Sequence, residues 1–386
     1  MTITSSSAPT TTRELPLITP LVASAPTPPA PAKVPARNRV VSDYSDLMKI
    51  IKEHNLLRRR VGFYVRKFTT VTLLVIATAV AFYFLRDSWF SLIPAFAFGV
   101  FNAQYGFIAH EASHRQIFTS KKINDLVAIV IADLFVGLSY GWWGVKHTRH
   151  HVNPNTITKD PDIAIAVISL STESLESKHG LERFFAKRQG WLLPVFLLFT
   201  GFDLLYESFG TLFDKKETLP HRKVEIAMMT FRVVAPVTAI FLLMPNPLMA
   251  AAFCMTQMLT FGLFMGGSFA PNHKGMPLIA KDTKVDFLRR QVLTSRNIKG
   301  SWLIDNLMGG LNYQIEHHLF PSMPRPALRK ASELTKQYCA EKGIDYMEVG
   351  LFKSYSIVMD YLTKVGVSGN SNPFDCPMIA EFRPRD

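Results

Sequence analysis

The chain has 386 residues, of which 48% are hydrophobic, including 29 Phe. Its apolar residues gather into runs of roughly twenty, the length that crosses a bilayer, which excludes an ordinary soluble two-domain protein. Lys and Arg outnumber Asp and Glu by 43 to 30, so water-facing surfaces are basic. They suit anionic headgroups, an acidic electron carrier or a phosphorylated substrate, and no basic stretch carries a nucleic-acid motif.

In chain order, residues 1–41 are rich in Pro, Ala, Ser and Thr and predict a disordered tail without a signal-peptide core. Over 42–67, Leu47, Ile50 and Ile51 fall at helical spacing before "LLRRR". This predicts a basic amphipathic helix lying on the headgroups, with a helix packed on the membrane domain as the competing reading. Six apolar segments follow, at 68–85, 89–109, 123–143, 191–209, 226–244 and 248–269. Cations flank the first and last pairs as they would flank two hairpins that start and finish in the cytoplasm. The third segment contains Asp125 and Asp133, the fourth contains Asp203 and Glu207, and both have basic residues at each end. A crossing would leave one basic flank outside, so these two are expected to be embedded or interfacial without spanning. The fold expected is an all-α integral membrane protein: four transmembrane helices in two hairpins, two non-spanning segments and a cytoplasmic helical cap. The membrane domain is expected over 68–355, with a cytoplasmic C-terminal tail over 356–386.

Histidines carry the strongest signal. His110 and His114 form HxxxH in "HEASH"; His147, His150 and His151 form HxxHH in "HTRHH". His317 and His318 end "QIEHH", where Gln314 takes the first place of the same pattern, and His273 follows the last apolar segment. All four groups fall on the expected cytoplasmic side. Residues three or four apart share a helical face, whereas adjacent residues point about 100° apart. Each doubled histidine therefore suggests two neighbouring metals, one ligand going to each. Eight histidines exceed the four ligands of a structural zinc and suit two ions of higher coordination number. Imidazole by itself does not choose among iron, copper, zinc and nickel. His54, His179 and His221 stand in polar contexts and read as surface residues. Cys254, Cys339 and Cys376 have no CxxC spacing and read as plain thiols.

"HEASH", "HTRHH" and "QIEHH", in this order around two hydrophobic hairpins, resemble the three histidine boxes of the membrane fatty acid desaturases. The resemblance runs from about residue 68 to about 355 and includes "NPNTITKDPDI" and "HLFPSMPRPALRK". The glutamine-led third box is similar to that of front-end desaturases and many bacterial acyl desaturases. No HPGG motif of a fused cytochrome b-type domain is present, which implies a separate electron donor such as a ferredoxin or a flavoprotein reductase. The resemblance implies a di-iron centre, with O2 as co-substrate, that introduces a double bond into a long acyl chain. It implies iron ligation by His110, His114, His147, His150, His151, His273, His317 and His318. Gln314 stands where other members have a ligand histidine, as a weak oxygen ligand or a hydrogen-bonding neighbour. Asp160 and Asp162 are candidates to orient imidazoles, against a solvated acidic turn around Pro161; Glu111 and Glu316 are further candidates. Trp142 and Trp143 are candidates to line an acyl tunnel, against the ordinary interfacial role of tryptophan.

Three other functions compete. "HEASH" alone matches a zinc-protease signature with Glu111 as general base, but leaves the other boxes unexplained. Di-iron lipid or carotenoid hydroxylases and ketolases share the box pattern and insert oxygen. A metal transporter or sensor would need polar residues in its crossing helices, and these segments have almost none.

Overall fold

A backbone in hydrocarbon must satisfy its own hydrogen bonds, so apolar runs of this length fold as helices. The computed structural model describes residues 42–164, 167–281 and 283–368; the tail expected over 1–41 and Cys376 lie outside them. Ser42 caps α1 (Asp43–Glu53), accepting a hydrogen bond from Ser45 N. A hairpin follows, α2 (Val61–Leu85) and α3 (Leu92–Ser113), joined by a short turn at Trp89–Ser91. Ser120 caps α4 (Lys121–Ile129), which loosens into a π turn over Val130–Val136 and stops at Gly137, φ 92°. The left-handed conformation there suits a residue without Cβ. Ser139 caps α5 (Tyr140–Val152), which leaves the break at 112°. Next come α6 (Thr172–Glu176), α7 (Gly180–Ala186), α8 (Gln189–Phe213), α9 (Arg222–Leu243) and α10 (Pro247–His273). The last part holds α11 (Phe287–Leu293), α12 (Trp302–Leu307), α13 (Gln314–Leu319), α14 (Arg325–Glu341) and α15 (Leu351–Ser368). Strands β1 (Asn297–Ile298) and β2 (Glu348–Val349) pair in parallel, with Asn297 opposite Glu348.

Helix α10 is the hub, packed on α3 and α8. Gly262 lies so close to the Leu198 carbonyl of α8 that a Cβ would not fit, the small-residue crossing that apolar helices use to approach. The exposed residues of α2 and α9 are large and apolar, among them Leu73, Phe84, Phe231 and Leu242. Such surfaces are at home in lipid.

The fourth segment is one 25-residue helix, α8, and by length and composition five helices could cross where four were expected to. Of the two acids in it, Glu207 pairs with Lys146 of α5 at 2.5 Å, while Asp203 is exposed with the same lysine nearby. The 42–67 helix is not a single interfacial element. It ends at Glu53, residues from Val61 onward join the first apolar helix, and Leu47 and Ile51 are fully buried against Leu288, Val292 and Ala331. Its apolar face meets protein, which leaves nothing to insert among headgroups. Finally, much of 356–386 is not a tail: α15 buries Val358 and Leu362 in a cluster with Leu193 and Leu197 of α8. The third segment breaks and turns back at Gly137 in place of running straight through.

Candidate metal centre

Four helix ends deliver the histidines to one place. His110 and His114 close α3, His147, His150 and His151 end α5, His273 ends α10, and His317 and His318 end α13. They sort into two clusters. His110, His114, His147, His151 and His317 each offer a nitrogen to the first; His150, His273 and His318 form the second. Both doubled histidines divide between the clusters, as their divergence on a helix requires. His54, His179 and His221 are exposed and far from this chemistry in environment.

In the first cluster Nε2 of His147 lies 3.0 Å from that of His110, 2.8 Å from that of His114 and 2.9 Å from that of His151. His151 Nε2 is 3.0 Å from His317 Nε2. One ring proton cannot serve three such neighbours, so hydrogen bonding does not explain the arrangement. Two nitrogens bound at right angles to one ion, each about 2.0–2.1 Å from it, would be ~2.9 Å apart. Five donors also exceed a tetrahedral set. Burial favours the neutral ring that a ligand must be: burial and then the neighbouring histidines hold His317 and His318 well below the usual imidazole range, and burial pushes His114 down to about 3, whereas Asp162 and Asp160 outweigh burial and raise His150. Nε2 of His318 is buried with no hydrogen-bond partner. These clusters fit a metal site.

The second cluster is oriented from behind. His150 Nδ1 meets both oxygens of Asp160 at 2.9 and 3.0 Å. Burial alone would raise the Asp160 carboxyl, but His150 and the N–H groups of Asp162 and Asn155 outweigh it and hold it low. His273 Nδ1 donates to the Thr294 carbonyl at 3.0 Å, and His318 Nδ1 donates to Gln291 Oε1 at 2.9 Å. Gln291 is itself fixed, its Nε2 donating to the His151 carbonyl. With Nδ1 protonated in each ring, the Nε2 lone pairs face the cluster. Sequence reasoning missed Gln291 and Thr294; neither lies in a box, and Thr294 contributes only its backbone.

The remaining candidates take different places. Asp162 is partly exposed, 3.6 Å from His150 Nδ1 and 3.7 Å from Lys146. Gln314 turns its oxygen toward Asn272 Nδ2, which also donates to the Ser268 and Leu311 carbonyls and is thereby fixed as a donor. Its Nε2 therefore faces His273 Nε2, at 3.0 Å, which fits the hydrogen-bonding neighbour of the two roles expected for it. Glu111 and Glu316 touch no histidine, contrary to expectation. Arg325 of α14 takes both oxygens of Glu111, at 2.5 and 2.6 Å. Glu316 accepts from Asn297 and Tyr346, and burial pushes it up to about 7. Each carboxylate ties its box helix to residues outside the boxes, because a buried acid needs partners. With Glu111 so held, the protease reading of "HEASH" has no free base.

An apolar cavity of about 440 Å³ of space opens beside His110, lined by Trp142, Trp143, Met265 and Phe269 among others. Trp143 also stacks on His147, ring centroids 4.5 Å apart. The tryptophan pair thus lines a cavity.

Comparison with known proteins agrees with this geometry. The family model described as "Fatty acid desaturase" matches residues 87–350. The chain is 28% identical over 343 residues to a Delta(6)-fatty-acid desaturase of Caenorhabditis elegans, covering 85% of this chain and 76% of that one. It is 26% identical over 378 residues to a fatty acid desaturase 2-like protein of Mus musculus, covering 89% of this chain and 71% of that one. A Delta(5) fatty acid desaturase of C. elegans is 25% identical over 346 residues, covering 85% and 74%. With its apolar helices and its two histidine clusters, the chain belongs to the fatty acid desaturase family and is a multi-pass membrane oxidoreductase.

Proposed function

We propose that the enzyme introduces a double bond into a long acyl chain, carried on CoA or a lipid, at two irons held by the eight clustered histidines. The observation that carries this is the division of both doubled histidines between two clusters whose lone pairs converge. When bound, the irons supply the oxidising power that side-chain acid–base chemistry lacks toward an unactivated C–H bond, with O2 as co-substrate and two electrons from a separate donor protein.

The residues supply position. His110, His114, His147, His151 and His317 would hold one ion and His150, His273 and His318 the other. Asp160, Gln291 and the Thr294 carbonyl keep the second set turned inward. The apolar cavity beside His110 excludes water and holds methylenes against the first cluster. Gln314 stands at the edge of the second cluster, beside His273.

The topology proposed keeps α2, α3, α9 and α10 as spans and α8 as an embedded helix that does not cross, so that both hairpins start and finish in the cytoplasm. The break at Gly137 returns α5 to the face where α3 ends, which puts the first two boxes on one side. The basic cytoplasmic face would attract the donor protein and, for acyl-CoA, its phosphates.

Expression in a host of known lipid composition, followed by mass spectrometry of its fatty acids, tests the reaction and the position of the bond. New unsaturated chains that vanish with His150→Ala or His318→Ala are expected, together with about two irons per purified chain. Hydroxylated or ketone-bearing lipids would replace desaturation by oxygen insertion, and one zinc without iron would overturn the di-iron reading.

A further inference from the structure

Helix α9 carries Arg232 at its middle, well beyond the charges of its first turn, and among the described residues no carboxylate pairs with it. A charge at that depth is costly in lipid and marks a function. Its hydrogen bonds show what it serves. Arg232 Nε donates to the Phe135 carbonyl at 2.8 Å, and Nη2 donates to Asn102 Oδ1 at 3.3 Å. Asn102 Nδ2 in turn approaches the Val136 carbonyl at 3.4 Å. These two carbonyls end the π turn before Gly137, where the helix stops and leaves them without partners of their own. A Cβ at Gly137 would approach Arg232 Cγ at 3.3 Å, so the guanidinium stem lies directly against the break.

The same short segment separates two cavities. Val136 and Leu138 line the apolar cavity beside His110 and also line a second one, of about 630 Å³ of space, on the far side. The far cavity is lined mostly by apolar residues, with Asn102, Gln257 and Arg232 also in its wall. It would accommodate further methylenes if residues 136–138 did not stand between it and the cavity beside His110.

We propose that Arg232, through Asn102 and the two carbonyls, holds residues 135–138 as the end wall of the acyl cavity and so limits the length of chain accepted. It is a positioning residue for specificity, and it touches neither the histidines nor the chain. The inference rests on the desaturase reading above. Loss of the guanidinium frees the wall and removes the charge behind it, joining the two cavities.

The test supplies saturated fatty acids of graded length to cells expressing wild type, Arg232→Leu, Arg232→Lys or Asn102→Ala. Unsaturated products are quantified and each purified protein is assayed for iron. With wild-type iron content, Arg232→Leu should raise the product ratio of chains about two carbons or more longer to the preferred chain about tenfold, the discrimination that one or two methylenes carry in an apolar pocket. Arg232→Lys, which keeps one donor, should shift it less, and so should Asn102→Ala. A general loss of packing would lower all products together and leave the ratio where it was. An unchanged ratio in an iron-replete Arg232→Leu enzyme overturns the proposal; if that variant does not accumulate, an unchanged ratio in Asn102→Ala does so. A wild type that forms no double bond in any chain overturns the desaturase reading itself, and the end wall with it.

Discussion

The two histidine clusters are drawn from the same boxes and built in opposite ways. The first has five donors, crowded Nε2 to Nε2, and at least one of its rings is unsupported: His151 Nδ1 is buried without a partner. The second has only three histidines, and every Nδ1 among them has an acceptor, from Asp160, Thr294 or Gln291. Many donors orient one another through a shared ion, whereas few donors must be aimed by their surroundings. Disturbing the first cluster should therefore act through donor loss, and disturbing the second through its outer hydrogen bonds.

The largest effect is expected at His147, whose Nε2 is within 3.0 Å of three others. His147→Ala should abolish desaturation and reduce bound iron from about two to about one per chain, read by metal analysis. Retention of both irons would show that the first cluster is not organised around this ring. Asp160→Asn should cost about 10- to 100-fold in activity or iron affinity while the first cluster keeps its ion; a loss below about threefold would erase the contrast between the clusters. The metal-stripped protein should lose stability as pH falls below about 6.5, because the unfolded chain then binds protons that buried His317 and His318 refuse. Stability from these rings is full above that pH and declines by up to about tenfold in the folding equilibrium per histidine per pH unit below it. Thermal unfolding between pH 7 and 5, with and without iron, measures this, and iron should protect. The smallest effect is expected at Gln314, whose amide nitrogen faces the second cluster. Gln314→Ala should reduce activity by less than about tenfold with both irons retained; loss of one iron would make the glutamine a ligand after all.

Much of the site was legible in sequence, because helical spacing alone says that His147 and His151 share a face while His150 points elsewhere. Asp160 was legible as a candidate, since an acid ten residues beyond a box can fold back on it. Glu111 and Glu316 were misread for a related reason. Their positions inside the boxes suggested contact with histidines, but Arg325, Asn297 and Tyr346 sit behind those helices and take the carboxylates first. Gln291 and Thr294 carry no sequence signal, one being an isolated amide and the other acting through its carbonyl. In the fold, apolar length found the helices, while charge counting did not foresee that Glu207 of α8 pairs with Lys146 of α5. The amphipathic face of α1 was visible, but whether it met headgroups or protein was not, for both bury the same leucine and isoleucine.

By itself the sequence determined that this chain is helical, enters the membrane and carries eight histidines at spacings that suit metal, because hydropathy and spacing act locally along the chain. Only the tertiary structure decided how those histidines divide and which groups aim them. It also decided that Arg232, unremarked in the sequence, stands behind the break at Gly137. A lone pair's direction and a carbonyl's need for a partner depend on what lies across a helix interface, and that is set by packing among residues distant in the chain.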